Sequence, residues 1–271
     1  RFIVNRLTRV LPVYYVILFF AFVMGGAMST FHYSEKTINL ISALTFLPYV
    51  HETAPMYIQS NGMFNIRWTL SFELYFYFIF SMCLLYKNKL LPLCLWFLAP
   101  VVLCPLITGN FTLQSRGYNF NNVYLEFLTN PIILEFGFGV VAGLLYMRLK
   151  KLNIQTNPTI LLIIIAAIVF AINQKILTMY SLLTGISFSL LVLSLSLSEH
   201  LLKSMPFKVL AHLGNISFSL YLLHSPLGSF ASKKVEKFSP GLMHSPLGVT
   251  IMVFAAILAA HFSHKYLEIK L

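Results

Sequence analysis

Arg67-Trp68-Thr69-Leu70-Ser71-Phe72-Glu73-Leu74-Tyr75-Phe76-Tyr77 places a carboxylate inside a hydrophobic segment that continues to Tyr86. Glu73 stands about two helical turns into that segment. A charge inside a bilayer is costly and is rarely kept without a reason, so this position points to a functional site. The alternative is that Glu73 pairs with a neighbouring helix for structure alone.

The composition is that of a polytopic membrane protein. Hydrophobic residues make up 58% of the 271 residues and charged residues only 10%, whereas soluble proteins carry about 25% charged residues. All 8 acidic residues are glutamate, which disfavours EF-hand loops and Walker B sites because both use aspartate. The formal charge of +11 is spread over the ends of the hydrophobic segments. Nucleic-acid binding is therefore not predicted.

Eight hydrophobic segments predict an all-α transmembrane helical bundle of about eight spans. They cover residues 10–28, 64–86, 90–107, 131–147, 158–173, 177–198, 213–230 and 247–266. The segment 37–48 is apolar but too short to span, so we expect it at the membrane interface or packed against the bundle. The short connections predict a single domain over residues 1–271.

The distribution of basic residues predicts the orientation. With the N-terminus of this chain in the cytoplasm, twelve of the 19 Lys and Arg residues fall on the inner side and seven on the outer side. This agrees with the positive-inside rule. The longer outer loops, about residues 29–63 and 108–130, are the ones expected to carry function.

Three ionisable side chains then share the outer half of the bundle: Glu73, Glu135 and His224. A carboxylate and a histidine suit general acid–base work on a hydroxyl group. They could equally carry protons in a transporter or join helices by hydrogen bonds. The residues alone leave these three interpretations open.

Arg6 and Arg9 lie at the opposite, cytoplasmic end, three residues apart and on one helical face. Two guanidinium groups could hold a phosphate, although ordinary positive-inside flanking is the alternative. The histidines and cysteines show no metal-ligand spacing, so no metal site is predicted.

Four segments together resemble the acyltransferase-3 family of bacterial integral membrane acyltransferases. Residues 6–12 are similar to its R-x-x-R-x-x-P element, and residues 68–77 to its W-S-L-x-x-E…F-Y element. Residues 135–139 are similar to its E-F-x-x-G helix start. Residues 213–224 closely match its L-G-x-I-S-Y-S-L-Y-L-x-H element, with Phe218 where tyrosine is usual. The four elements occur in family order over most of the chain.

The resemblance implies transfer of an acyl group, usually acetyl, from cytoplasmic acyl-CoA across the bacterial inner membrane. The acceptor would be a hydroxyl of a cell-envelope carbohydrate of the O-antigen or exopolysaccharide type. Together with the positions of the polar residues, it points to phosphate contacts for Arg6 and Arg9 and to a catalytic role for Glu73, which would orient or deprotonate a partner, namely the histidine that the family uses upstream. His224 is the second catalytic candidate, for contact with the acceptor or for packing. We further expect substrate or pore positions at Trp68, Glu135, Ser217 and Tyr221.

The resemblance also implies about ten spans in a complete family member. Because the chain starts at the R-x-x-R element, we expect it to lack the first two helices and the histidine that the family uses upstream. The acyltransferase-3-like domain over 1–271 would then be N-terminally incomplete. Two alternatives remain: a transporter or exporter of envelope polysaccharide, which should show an internal repeat, and an inactive truncated remnant.

Overall fold

The structure, a computed structural model, describes residues 1–24, 27–60, 62, 64–199, 208–235, 237, 239, 241–242 and 245–269. The ordered elements in these ranges are all helical, which confirms the predicted fold class. The helices are α1 (Phe2–Met24), α2 (Ala27–Thr30), α3 (Ser34–Thr45), α4 (Arg67–Cys83), α5 (Leu90–Leu98), α6 (Cys104–Thr108), α7 (Val123–Leu128), α8 (Leu134–Lys151), α9 (Pro158–Asn173), α10 (Leu182–Leu197), α11 (Lys208–Val235) and α12 (Pro246–Ser263). A π-helical turn, Ala99–Leu103, joins α5 to α6, and another, His264–Glu268, continues α12.

Each of the eight predicted spans overlaps at least one helix, and residues 90–107 fall on α5, the π-helical turn and α6. By length and apolar composition, four helical stretches of the described chain can cross a membrane: Phe2–Met24, Leu90–Thr108, Val123–Lys151 and Pro246–Glu268. The helices α9 and α10 are apolar but shorter. Large apolar side chains such as Val169, Phe170 and Phe254 are exposed on the helix surfaces, as expected for helices that face lipid.

The chain forms two compact units, and the first comprises Arg1–Tyr49, Ile58–Ser81 and Lys208–Leu271. Its apolar core is built on α1, whose Val13 and Ile17 are buried together with Leu70 of α4 and Leu222 of α11. The expectation of a single 1–271 domain stays a prediction.

The short segment 37–48 packs against α1. This is one of the two positions predicted for it, namely contact with the helical bundle. Tyr14 Oη donates a hydrogen bond to the Ala43 carbonyl oxygen at 2.7 Å, and Tyr15 Oη donates to the Leu44 carbonyl oxygen at 2.9 Å. Two adjacent tyrosines therefore hold the carbonyl end of α3, where the helix has no further backbone partners.

Arg67, which opens α4, is fully buried. Its guanidinium group donates to the carbonyl oxygens of Phe64 and Asn39 at 3.2 and 3.3 Å and to Ser42 Oγ at 3.2 Å. A buried charge needs such hydrogen bonds to offset its lost hydration. Arg67 thereby ties the start of α4 to α3 and fixes where the Glu73-bearing helix begins.

The second unit comprises Val50–Tyr57 and Met82–Phe207. Within it α8 packs closely on α10, and Ser189 Oγ donates to the Phe138 carbonyl oxygen at 3.0 Å. Gly185 lies at this contact, where the space for a side chain is small. A Cβ at Gly185 would lie 3.2 Å from Phe138 Cδ2 and 3.3 Å from Glu135 Cγ.

Candidate functional site

Glu73 accepts a hydrogen bond from Tyr77 Oη, one turn further along α4. Both side chains are half-buried. The pairing supplies a donor to a carboxylate that would otherwise stand alone in an apolar segment. It also leaves Glu73 with further oxygen lone pairs that can accept a proton or a hydrogen bond.

Arg6 of α1 reaches the same tyrosine. Its Cζ lies 5.7 Å from the centre of the Tyr77 ring and 5.6 Å from that of Phe2, within the range of cation–π attraction. The structure therefore brings Arg6, predicted at the cytoplasmic end, and Glu73, predicted in the outer half of the bundle, to one side chain, Tyr77.

Arg6 and Arg9 are exposed, so their guanidinium groups are accessible to a ligand. Two such groups three residues apart can bind one phosphate through several charge-assisted hydrogen bonds. The residues present fit an anionic donor such as the phosphates of acyl-CoA.

Trp68 lies at the start of α4, with its ring against Phe72 at a centroid distance of 6.3 Å in an edge-to-face arrangement. It is half-buried. Trp68 and Glu73 therefore lie on the same helix, with about 7.5 Å of helical rise between them.

Tyr221 of α11 joins the beginning of α4. Its hydroxyl donates to the Ile66 carbonyl oxygen at 2.9 Å and is hydrogen-bonded to Thr69 Oγ1. This predicted pore residue therefore has a definite structural contact, which aligns α11 with α4.

His224 lies one turn beyond Tyr221 and is exposed. Its Nδ1 is 2.6 Å from the Tyr221 carbonyl oxygen. Because a carbonyl only accepts, Nδ1 carries the proton and Nε2 is the nitrogen that can accept one.

Glu73 and His224 are not brought together. The neighbouring Ser225 Oγ contacts Asn65 Oδ1 at 3.4 Å, which places His224 near the start of α4. Glu73 lies roughly 10 Å further along the helix axis. The two predicted catalytic residues therefore occupy different levels of the first unit and do not form a dyad.

Ser217 is exposed, whereas Ser219, two residues later, is fully buried. Ser219 Oγ is hydrogen-bonded to Ser263 Oγ at 2.8 Å and to the Glu268 carboxylate. That carboxylate also accepts from His264 Nδ1 at 2.8 Å. The serine with the buried contacts in this motif is thus Ser219, which links α11 to the end of α12.

Glu135 belongs to the second unit, where it lines a groove of about 390 Å³ between α8 and α10. The rest of the lining is mostly small or apolar, with Gly139, Phe188 and Val192 among its members, and its larger polar side chain is Tyr146. Glu135 is therefore a carboxylate at an apolar surface.

Sequence reasoning missed two features. Tyr77 could have been recognised from its spacing of four residues from Glu73, which puts both on one helix face. His51 and Glu126 are in contact although they are 75 residues apart in the chain. No local sequence pattern predicts such a contact from a single sequence. Among the described residues, no three His, Cys or Glu side chains are grouped to hold a metal ion.

Comparison with known proteins gives two matches. The acyltransferase domain family matches residues 1–261 of the chain, a range that contains all four elements on which the resemblance was based. The exopolysaccharide production protein ExoZ of Rhizobium meliloti (strain 1021) is 26% identical over 264 residues, which cover 95% of this chain and 75% of that protein. No solved structure matches the chain.

Proposed function

The chain belongs to the acyltransferase domain family, and on this basis we propose that it transfers an acyl group, with acetyl as the first candidate, from acyl-CoA to a hydroxyl of a cell-envelope polysaccharide. The similarity to a protein named for exopolysaccharide production supports the polysaccharide acceptor. The proposed location is the bacterial inner membrane, with the N-terminus of this chain in the cytoplasm, where acyl-CoA is available.

The observation that carries the proposal is the cluster of Arg6, Tyr77 and Glu73. Exposed guanidinium groups on α1 suit the phosphates of the donor. The hydrogen bond from Tyr77 to Glu73 connects that end of the first unit to a carboxylate suited to proton transfer. Neither feature is needed by a helix that only anchors the protein.

The net reaction defines what these residues would do. The acceptor hydroxyl oxygen forms an ester bond to the acyl carbon, the thioester C–S bond breaks, and the hydroxyl proton ends on the sulfur of CoA. Glu73 would orient or accept that proton in transit. His224, with Nε2 available, is the second candidate for contact with the acceptor.

The test is the O-acetyl content of the surface polysaccharide, measured by NMR in a host that lacks the gene. Expression of the native gene should restore acetylation. Glu73→Gln should abolish it while the protein remains in the membrane fraction, because the amide cannot accept the proton. The control is Glu35→Gln, at an exposed carboxylate of α3. Native acetylation by Glu73→Gln would contradict the role of Glu73.

A further inference from the structure

A second histidine–carboxylate contact lies in the second unit, between His51 of the segment before Tyr57 and Glu126 of α7. His51 Nδ1 is 3.0 Å from Glu126 Oε2, and the two side chains are 47% and 7% exposed. The other carboxylate oxygen, Oε1, accepts the backbone N–H of Phe120 at 3.1 Å. Glu126 is thus a buried carboxylate with a polar contact at each oxygen, and the histidine beside it is half-exposed.

The backbone around this pair is held by a buried hydrogen-bond network. Tyr57 Oη donates to the backbone carbonyl oxygen of Glu126 at 3.2 Å. Asn130 Nδ2 donates to Tyr57 Oη at 2.8 Å and to the Ser115 carbonyl oxygen at 2.9 Å. Burial raises the pKa of Tyr57 to about 12, so its hydroxyl stays a neutral donor at physiological pH.

Gly117 packs against this network at Asn130. It has a φ of +70°, and a Cβ there would lie 2.9 Å from Asn130 Nδ2. The loop can therefore approach the asparagine only because this residue has no side chain. Glu126 is consequently held in a fixed place, and it fixes the ring of His51 in turn.

The geometry sets the chemistry of His51. With Nδ1–H donated to the carboxylate, Nε2 is the nitrogen with a free lone pair, and the carboxylate makes it a better acceptor. The Glu126 carboxylate lies directly beside the ring, so the pair is not suited to binding an anion. The ligand that suits a neutral imidazole is a hydroxyl group that donates to Nε2.

We propose that His51, oriented by Glu126, is a binding site for a hydroxyl group of the carbohydrate acceptor. Both residues lie in the loop regions predicted on the outer side of the membrane, where an envelope carbohydrate would arrive. The inference rests on the proposed function for the identity of the ligand. The competing explanation is that the hydrogen bond between His51 and Glu126 acts only as a clamp, which joins the segment containing His51 to α7. That role requires Nδ1 but not Nε2.

Two substitutions separate these roles. His51→Asn keeps an amide N–H near the position of Nδ1, so it retains the contact with Glu126 but removes Nε2. His51→Gln extends further and loses the Nδ1 contact. The ligand is the host surface polysaccharide, saponified to remove acyl groups and cut to oligosaccharides. Its Kd is measured by saturation-transfer NMR with the full chain in lipid nanodiscs.

We expect His51→Asn to keep the thermal stability of the native protein while its Kd rises about tenfold, the effect of one lost hydrogen bond. A native Kd for His51→Asn would overturn the proposal and leave the pair as a clamp. Tyr57→Phe is the matched control, because it weakens the same network without touching the imidazole.

A measurement on the native protein covers the case in which a variant does not fold. With ¹⁵N-labelled histidine, the Nε2 resonance of His51, assigned as the one missing from the spectrum of whichever His51 variant folds, should shift when the oligosaccharide is added. An unchanged resonance would overturn the proposal.

The outcome is separable from that of the proposed function. Acetylation in cells with no response at His51 would remove this site and leave the acyltransferase intact. A response at His51 without acetylation in cells would support the site and contradict the reaction.

Discussion

Tyr77 contacts two groups of opposite charge: its hydroxyl donates to Glu73, and Arg6 lies over its ring. The hydrogen bond needs the oxygen, whereas the cation–π contact needs only the ring. The two contacts can therefore be removed one at a time.

Tyr77→Phe should lower kcat and leave the KM for acyl-CoA unchanged, because only the donor to Glu73 is lost. We expect a decrease in kcat of about tenfold, the effect of one hydrogen bond. Tyr77→Leu removes the ring too, and should also raise the KM. Steady-state kinetics with radiolabelled acyl-CoA in inverted membrane vesicles checks both. Equal effects of the two variants on KM would show that Arg6 does not use the ring.

Arg6 and Arg9 are predicted to bind the donor together. Replacing both by alanine should raise the KM for acyl-CoA by about tenfold or more, because a hydrogen bond to a charged group contributes about 1.5–3 kcal/mol. The same kinetic assay applies. Arg148→Ala, a basic residue at the end of α8, is the control for the loss of positive charge at the membrane surface. An unchanged KM in the double variant would contradict the assignment.

At the level of residues, a single sequence was enough to identify the polar side chains that interrupt apolar segments. It was not enough to identify the residues that those side chains contact. Glu73 stood out because an isolated charge in a hydrophobic segment is costly. Ser217 was chosen from a motif, yet the buried contacts belong to Ser219, because the helix face that meets α12 depends on packing. Loop contacts such as His51 with Glu126 depend on where two distant segments meet.

The helices themselves follow from apolar length, but their ends do not. The first span was predicted to start at residue 10, whereas α1 starts at Phe2. The length of an apolar segment predicts only the part of a helix that the bilayer can bury. The helix itself continues beyond that part for as long as its backbone hydrogen bonds continue. For the same reason α11 extends past the predicted segment 213–230 at both ends, to Lys208 and Val235.

The contact between α8 and α10 gives a prediction about stability. Gly185→Val should lower the free energy of unfolding by about 1–3 kcal/mol, the usual cost of overpacking, because the added carbon atoms meet Phe138 and Glu135. Gly143→Val is the matched control, since nothing lies within 4 Å of a Cβ at that glycine. Thermal unfolding in detergent measures both. Equal melting temperatures would contradict this prediction and show that Phe138 and Glu135 make room for the added carbon atoms.

At the scale of the whole molecule, the charge pattern and the proposed reaction depend on each other. The last turn of α8 carries Arg148, Lys150 and Lys151, and this end was predicted to face the cytoplasm together with Arg6 and Arg9. If that orientation is reversed, the arginine pair lies outside the cell, where acyl-CoA is absent.

Labelling of single cysteines tests this orientation. In a protein whose three native cysteines are replaced by alanine, Lys175→Cys should react with a membrane-impermeant maleimide in intact spheroplasts, because the connection between α9 and α10 is predicted to lie outside. Lys151→Cys should react only after lysis. The opposite pattern would invert the bundle and remove the donor from reach of Arg6 and Arg9. It would thereby contradict the proposed direction of acyl transfer even if Glu73 proved essential.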